Sequence, residues 1–312
     1  MALALVFPGQ GAQTVGMGRD LAEAYPAARA VFDEVDAALG EKLSDLIWNG
    51  SSDDLTLTAN AQPALMATSL AAFRALEAEG FVTDRAAFVA GHSLGEYSAL
   101  AAAGAIGVAD AARLLRLRGQ AMQEAVPVGQ GAMAALLGLD FEAAQGVAER
   151  AAQGQVCQAA NDNDPSQVVV SGHREAVERA VELAKEAGAK RALMLPVSAP
   201  FHCALMQPAA ERMQAALAEV TINAPTVPVV ANVTAAPVSD PDEIRRLLVE
   251  QVTGSVRWRE SVAAMGAAGV DEIWEVGAGK ALSGMVKRID RGITTRTVGT
   301  ADEVKAAAGQ GA

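Results

Sequence analysis

The residues best suited to covalent chemistry lie in one short run, Gly91-His92-Ser93-Leu94-Gly95. Glycines placed two residues before and after a serine permit a sharp reversal between a strand and a helix. The hydroxyl then stands at a helix N-terminus, where free N–H groups and the helix dipole favour developing negative charge. An apolar stretch over 87–90 precedes the run and a helix-prone stretch over 96–103 follows it, so the setting fits a nucleophile. A chance match in a chain with 29 glycines is the competing explanation. A serine nucleophile needs a base, normally histidine, and the chain has only three. His92 adjoins Ser93, and neighbours on a tight turn point apart. His173 opens a helix after Ser171-Gly172, where an exposed capping-region residue is the simpler reading. His202, in Ser198-Ala199-Pro200-Phe201-His202-Cys203, is therefore the expected base. Cys203 beside it is a poor partner for such a dyad and reads as a small buried hydrophobe. No acid stands out as third member of a triad, but a carbonyl acceptor would suffice to fix the histidine tautomer.

Arg118 is the second unusual residue. Over 110–125, Ala111, Leu114, Leu115, Met122 and Ala125 recur at helical spacing, and Arg118 falls inside that apolar stripe. Arg113 and Arg116 fall on the other side with Gln120 and Glu124, a face expected to be solvated. An inward guanidinium must be paired. It is either one half of a structural salt bridge or a bidentate clamp for a substrate carboxylate. The loop Pro8-Gly9-Gln10-Gly11 after an apolar run is not a dinucleotide fingerprint, because Thr14 stands where a third glycine is needed. Beside a serine nucleophile it is better suited to supply an oxyanion donor, completing a hole with the N–H of Leu94.

Elements that could position these groups follow from alternating short apolar runs and longer helical patterns, the sign of an α/β fold with a mainly parallel, hydrolase-like sheet and helices on both faces. Strands are expected over 3–7, 87–90, 227–231, 272–276 and 295–298. Helices are expected over 27–39, 63–79 with Pro63 in the first turn, and 110–125. The middle of the chain has another rhythm: strand 132–137, helix 141–152, strands 155–160 and 167–170, helix 174–187, strand 191–197. That order is a ferredoxin-like βαββαβ unit. It is expected as an inserted subdomain over 128–197, with 1–127 and 198–312 forming the large domain, and with His202 at the mouth of the cleft between them. The tail over 306–312 is low in complexity and expected to fray.

Composition limits the function. With 25 Lys and Arg against 37 Asp and Glu, the net charge of −12 opposes nucleic-acid binding. Two separated cysteines and three histidines suit neither a disulfide framework nor a four-ligand zinc site, so a reducing, cytoplasmic setting with no metal is expected. No apolar run is long enough to span a membrane.

Taken together, Phe7-Pro8-Gly9-Gln10-Gly11, Gln62-Pro63-Ala64, Gly91-His92-Ser93-Leu94-Gly95-Glu96-Tyr97, Arg118-Gly119, Ala199-Pro200-Phe201-His202 and Glu275-Val276-Gly277-Ala278-Gly279-Lys280 resemble, in order, the malonyl-CoA:acyl carrier protein transacylases. The same family includes the acyltransferase domains of polyketide synthases. The resemblance implies a ping-pong reaction serving fatty acid synthesis, with Ser93 carrying malonyl as an ester, His202 acting as base and then acid, and Arg118 holding the malonyl carboxylate. It also implies an oxyanion hole from the N–H groups of Gln10 and Leu94, and a Gln251 backbone carbonyl that orients His202. Gln62, Asn161, Phe201 and His92 would line the substrate cleft. Coenzyme A thioester and acyl carrier protein would be the partners of a monomer needing no cofactor. A serine hydrolase is the nearest rival, since its triad chemistry is the same. The family stretch Asn-x-Asn-Ser-Pro is Asn161-Asp162-Asn163-Asp164-Pro165 here, and the usual Gly-Pro-Gly is Gly277-Ala278-Gly279. Because carrier and coenzyme A are anionic, local cations must overcome the net repulsion. Lys190, Arg191, Lys280, Lys287 and Arg288 are the expected docking residues.

Overall fold

Leu3 through Phe7 are buried in succession, and a strand apolar on both faces fits only the middle of a sheet covered on both sides. The computed structural model, which describes residues 2–197 and 199–309, contains ten strands. They are β1 (Ala2–Phe7), β2 (Ala86–Gly91), β3 (Gly131–Leu137), β4 (Cys157–Asp164), β5 (Gln167–His173), β6 (Arg191–Met194), β7 (Val229–Val230), β8 (Pro237–Val238), β9 (Val270–Val276) and β10 (Thr294–Val298). The larger sheet has the order β10-β9-β1-β2-β7-β8 and is parallel except for the β7/β8 edge. This is the expected α/β class. Phe7 pairs with Gly91, so the register sets the first glycine loop beside the serine turn. Ser198, the expected first residue after the insert, and residues 310–312 of the tail lie outside the described residues; Ala306 to Ala308 belong to a helix, Ala301–Ala308. No helix of the described residues is long and apolar enough to cross a membrane.

The helix expected from Pro63 spans Thr58–Ala78, with Pro63 inside it. A proline there removes the N–H that would satisfy the carbonyl one turn earlier. That carbonyl, Ala59 O, instead accepts from Arg116 Nη1 at 2.8 Å. Arg116 also bonds Asn60 Oδ1 and Glu41, and only 15% of its side chain is exposed. The expectation of a solvated Arg116 is thereby corrected: tertiary contact uses its charge to repair the proline break. The two helices approach closely because Gly119, on the Val108–Glu124 helix, has no side chain; a Cβ there would lie 2.6 Å from Thr58 O.

The smaller sheet is antiparallel in the order β4-β5-β3-β6. Its helices, Phe141–Ala152 and Arg174–Glu186, pack on one face through a cluster that includes Leu136, Val147, Val168, Val170 and Val177. Strand β4 runs four residues past its expected end at 160, through the polar stretch Asn161 to Asp164. Polar residues tolerate burial in a strand when each has a partner. Here Asp162 receives Arg259 at 2.8 Å and Asp164 receives Arg288 at 2.7 Å. In the other direction β6 stops at Met194, ahead of Pro196, short of the expected 197.

Candidate active site

Strand β2 ends at Gly91, and after His92, Ser93 and Leu94 the chain enters the Gly95–Ala102 helix. Both glycines of the turn are needed for space. A Cβ on Gly91 would fall 1.9 Å from the Gly95 carbonyl, and one on Gly95 would fall 2.2 Å from Phe7 O. Ser93 itself has φ 53°, a left-handed conformation that costs a non-glycine residue about 1–2 kcal/mol. The strain is held by the Asn232 side chain, whose Oδ1 accepts from Ser93 N at 2.7 Å while its Nδ2 donates to Gly91 O at 2.7 Å.

Ser93 Oγ lies 2.7 Å from His202 Nε2, and His202 Nδ1 lies 2.9 Å from Gln251 O. A carbonyl only accepts, so Nδ1 carries the proton and Nε2 presents its lone pair to the serine hydroxyl. Burial, reinforced by the Arg118 charge, holds the His202 pKa down to about 3, so the imidazole is neutral at physiological pH. His202 also has a left-handed backbone, φ 58°.

Arg118 is 1% exposed. Its Nη1 donates to Gln62 Oε1 at 2.7 Å, and its Nη2 donates to Gln251 Oε1 at 2.8 Å and to Ser93 Oγ at 3.2 Å. Its Nε has no hydrogen-bond partner, and among the described residues no carboxylate lies within ion-pair distance of it. Among the described residues, the structural salt bridge left open by the sequence does not form. Gln62 is set by Thr58, whose hydroxyl accepts from Gln62 Nε2 at 3.0 Å and donates to Gln10 Oε1 at 2.9 Å, so a polar chain links the first glycine loop to the guanidinium.

These groups line one cavity of about 450 Å³ between the two sheets. Gln10, Gln62, His92, Ser93, Leu94, Arg118, Asn161, Phe201 and His202 all contribute, and Met122, Met133 and Met285 add an apolar, adaptable lining. His92 turns away from the serine, as expected of neighbours on a tight turn. Its Nε2 lies 2.8 Å from Asn163 Oδ1, its ring lies against Trp258, and burial lowers its pKa. His173 Nδ1 accepts from Val156 N at 2.9 Å, far from this chemistry. Both cysteines are buried, and burial pushes the Cys157 thiol up to about 12.

The constellation belongs to a recognisable lineage. The family model described as acyl transferase domain matches residues 4–300. The chain belongs to the acyl transferase family. Among curated relatives of this acyl transferase, the malonyl CoA-acyl carrier protein transacylase of Escherichia coli (strain K12) is 51% identical, covering 98% of this chain and 97% of its own. The enzyme of the same name from Bacillus subtilis (strain 168) is 48% identical, covering 98% and 96%. Among solved structures, the acyl-carrier-protein-S-malonyltransferase from Bartonella henselae superimposes with a TM-score of 0.96 at 57% identity, over 98% of each chain. A malonyl-transacylase solved in complex with a type II polyketide synthase acyl-carrier protein gives 0.96 at 43% identity, over 99% of this chain and 100% of that one.

Of the expected docking cations of this acyl transferase, Lys190 and Arg191 are exposed at the start of β6, and Lys280 and Lys287 line a groove with Thr295 and Thr297. Arg288 differs, because its guanidinium is committed to buried Asp164. Three residues central to the geometry, Asn163, Asn232 and Glu96, have roles that only the fold reveals. A signal existed for Glu96, the one charged residue in the wholly buried helix Gly95–Ala102. Burial raises its pKa to about 7, against the lowering effects of Gln251, Asn232 and Arg118.

Proposed function

We propose that this protein transfers a malonyl group from malonyl-CoA to the phosphopantetheine thiol of acyl carrier protein through an ester on Ser93, supplying fatty acid synthesis. The observation that carries the reading is a buried guanidinium within hydrogen-bond reach of the serine oxygen that has no carboxylate partner among the described residues. A hydrolase acting on neutral esters has no use for such a cation, whereas a malonyl thioester brings the missing anion.

In this reading His202 Nε2 takes the Ser93 hydroxyl proton as Oγ attacks the thioester carbonyl. The backbone N–H groups of Leu94 and Gln10 receive the oxyanion. The tetrahedral intermediate collapses, coenzyme A leaves as its thiol with the proton returned by His202, and the carrier thiol repeats the sequence in reverse. Arg118 holds the malonyl carboxylate, and Gln62, from the opposite helix, keeps the guanidinium planar to it. Phe201 crowds the space beside the methylene, while Asn161 and His92 shape the rim. The chemistry calls for no cofactor or metal, and the cytoplasm supplies both partners. Residues 128–197 act as an inserted subdomain closing over the large domain, with one subunit sufficient. Lys190, Arg191, Lys280 and Lys287 would meet the acidic carrier.

Incubation with malonyl-CoA followed by intact-mass measurement tests the reading. The protein should gain one malonyl unit and lose it to added carrier protein, and Ser93→Ala should gain none. Release of free malonate as fast as carrier is charged would identify a hydrolase instead.

A further inference from the structure

Arg118 poses an electrostatic problem that the transfer chemistry leaves open. A guanidinium that is 1% exposed needs a counter-charge even when no substrate is bound. The nearest one is a single amide away. Gln251 Oε1 accepts from Arg118 Nη2 at 2.8 Å, and Gln251 Nε2 donates to Glu96 Oε2 at 2.8 Å. The same Glu96 oxygen accepts the Asn232 backbone N–H at 3.0 Å. Glu96 is 3% exposed. The other titratable groups of the cluster carry no charge: the Tyr97 phenol, on the same helix and 5.9 Å from the guanidinium, is pushed up by burial, and His202 and His92 are both pushed down. Among the described residues, Arg118 is the charged side chain whose field lowers the Glu96 pKa.

A direct Arg118–Glu96 ion pair would have to be broken by every incoming acyl carboxylate. The interposed Gln251 amide leaves the guanidinium balanced yet open toward the cavity. Once a malonyl carboxylate sits on Arg118, two anions share one cation in a water-poor cluster, and the more deeply buried acid is the one that neutralises. We propose that Glu96 is the displaceable counter-ion of Arg118, ionised in the free protein, taking up one proton from solvent when the malonyl carboxylate occupies the guanidinium and returning it when the acyl group leaves. Oε2 accepts both hydrogen bonds, so the proton goes to Oε1, and the contacts that place Gln251 and Asn232 persist in both states. No other bond forms or breaks. The inference rests on the reading of Arg118 as the malonyl clamp.

The sign follows from linkage. Burial places the free-form Glu96 pKa near 7; above that pH the free form loses a proton that the malonyl form keeps, so the acylated fraction is level below about pH 7 and falls as pH rises beyond it. One proton permits at most about a tenfold change per pH unit. An acyl donor without a carboxylate has no such coupling.

The experiment equilibrates the protein with a fixed ratio of malonyl-CoA to free coenzyme A between about pH 6 and pH 8.5 and reads the acylated fraction by intact mass. The acylated-to-free ratio should fall several-fold across that range with malonyl-CoA and stay level with acetyl-CoA. Glu96→Gln keeps an oxygen for both donors but does not titrate, so its malonyl ratio should be level. A malonyl slope in the wild-type protein no steeper than the acetyl slope overturns the proposal, whether or not the variant folds, and so does an unchanged slope in folded Glu96→Gln. Arg118→Met separates the two readings. If it loses the preference for malonyl over acetyl while Glu96→Gln keeps the wild-type slope, only the counter-ion fails. If it keeps that preference, the clamp itself is wrong.

Discussion

Replacing Arg118 by methionine removes the guanidinium while nearly conserving volume, so packing against Tyr97 and Met122 changes little. Three contacts disappear, to Gln62, Gln251 and Ser93, and a malonyl carboxylate entering the variant finds no cation. Breaking a buried pair from one side costs about 3–5 kcal/mol, which at the transition state corresponds to a loss of about two to four orders of magnitude in kcat/KM for malonyl-CoA. Acetyl-CoA has no carboxylate to strand, and its slow acylation should change by less than about fivefold, the size of an ordinary local repacking effect near 1 kcal/mol. The assay is acylation rate by quenched intact mass for both donors, with a thermal melt of the variant alongside. Equal losses for the two donors would falsify the clamp, because that pattern means Arg118 supports the elbow and not the substrate.

The close approach at the serine turn gives a second prediction. Gly95→Ala puts a carbon 2.2 Å from Phe7 O, so β1 and the elbow must part; urea melts should show a loss of about 2–4 kcal/mol, with slower acylation. Gly146→Ala, in the Phe141–Ala152 helix with open space around it, should instead gain about 1 kcal/mol; matching effects at the two sites would refute the steric argument. For the carrier surface, charge reversal at Lys190 and Lys287 should raise the KM for acyl carrier protein at low salt and converge with wild type at high salt. A salt-independent change would remove these lysines from the docking surface.

Local signals carried much of this architecture. Gly91 and Gly95 announce the elbow because their constraint lies within five residues of sequence, and His202 follows by elimination among three histidines. Arg118 stands out by periodicity, but its environment could not be read: Gln62 lies 56 positions before it and Gln251 133 after it. Asn232, 139 positions from Ser93, has no local feature that sets it apart from an ordinary loop asparagine. Pro63 departs from its local preference for a first turn because a distant arginine satisfies the carbonyl that the proline orphans. The polar stretch Asn161 to Asp164 reads as a loop until its partners on other elements are known.

That stretch also sets the mechanics of the cleft. Along β4, whose register against β5 shifts on both sides of Asn161 and Asp162, Asn161 and Asn163 line the cavity while Asp162 and Asp164 reach back to Arg259 and Arg288 on the helices Trp258–Ala267 and Ala281–Ile289. The backbone of β4 is stitched to the same side, with Asp162 N donating to Val256 O and Val256 N donating to Ala160 O, each at 2.9 Å. At the opposite edge of the sheet, β6 is short, pairs only with β3, and exposes Leu193 and Met194 before Leu195 and Val197 reach the cavity. The two edges of the smaller sheet are therefore held unequally: β4 is tied to the helices of the large sheet by two ion pairs and to Val256 by two backbone hydrogen bonds, whereas β6 is held through its pairing with β3. Asp162→Asn or Asp164→Asn should cost more stability in urea melts than a polar substitution at exposed Leu193.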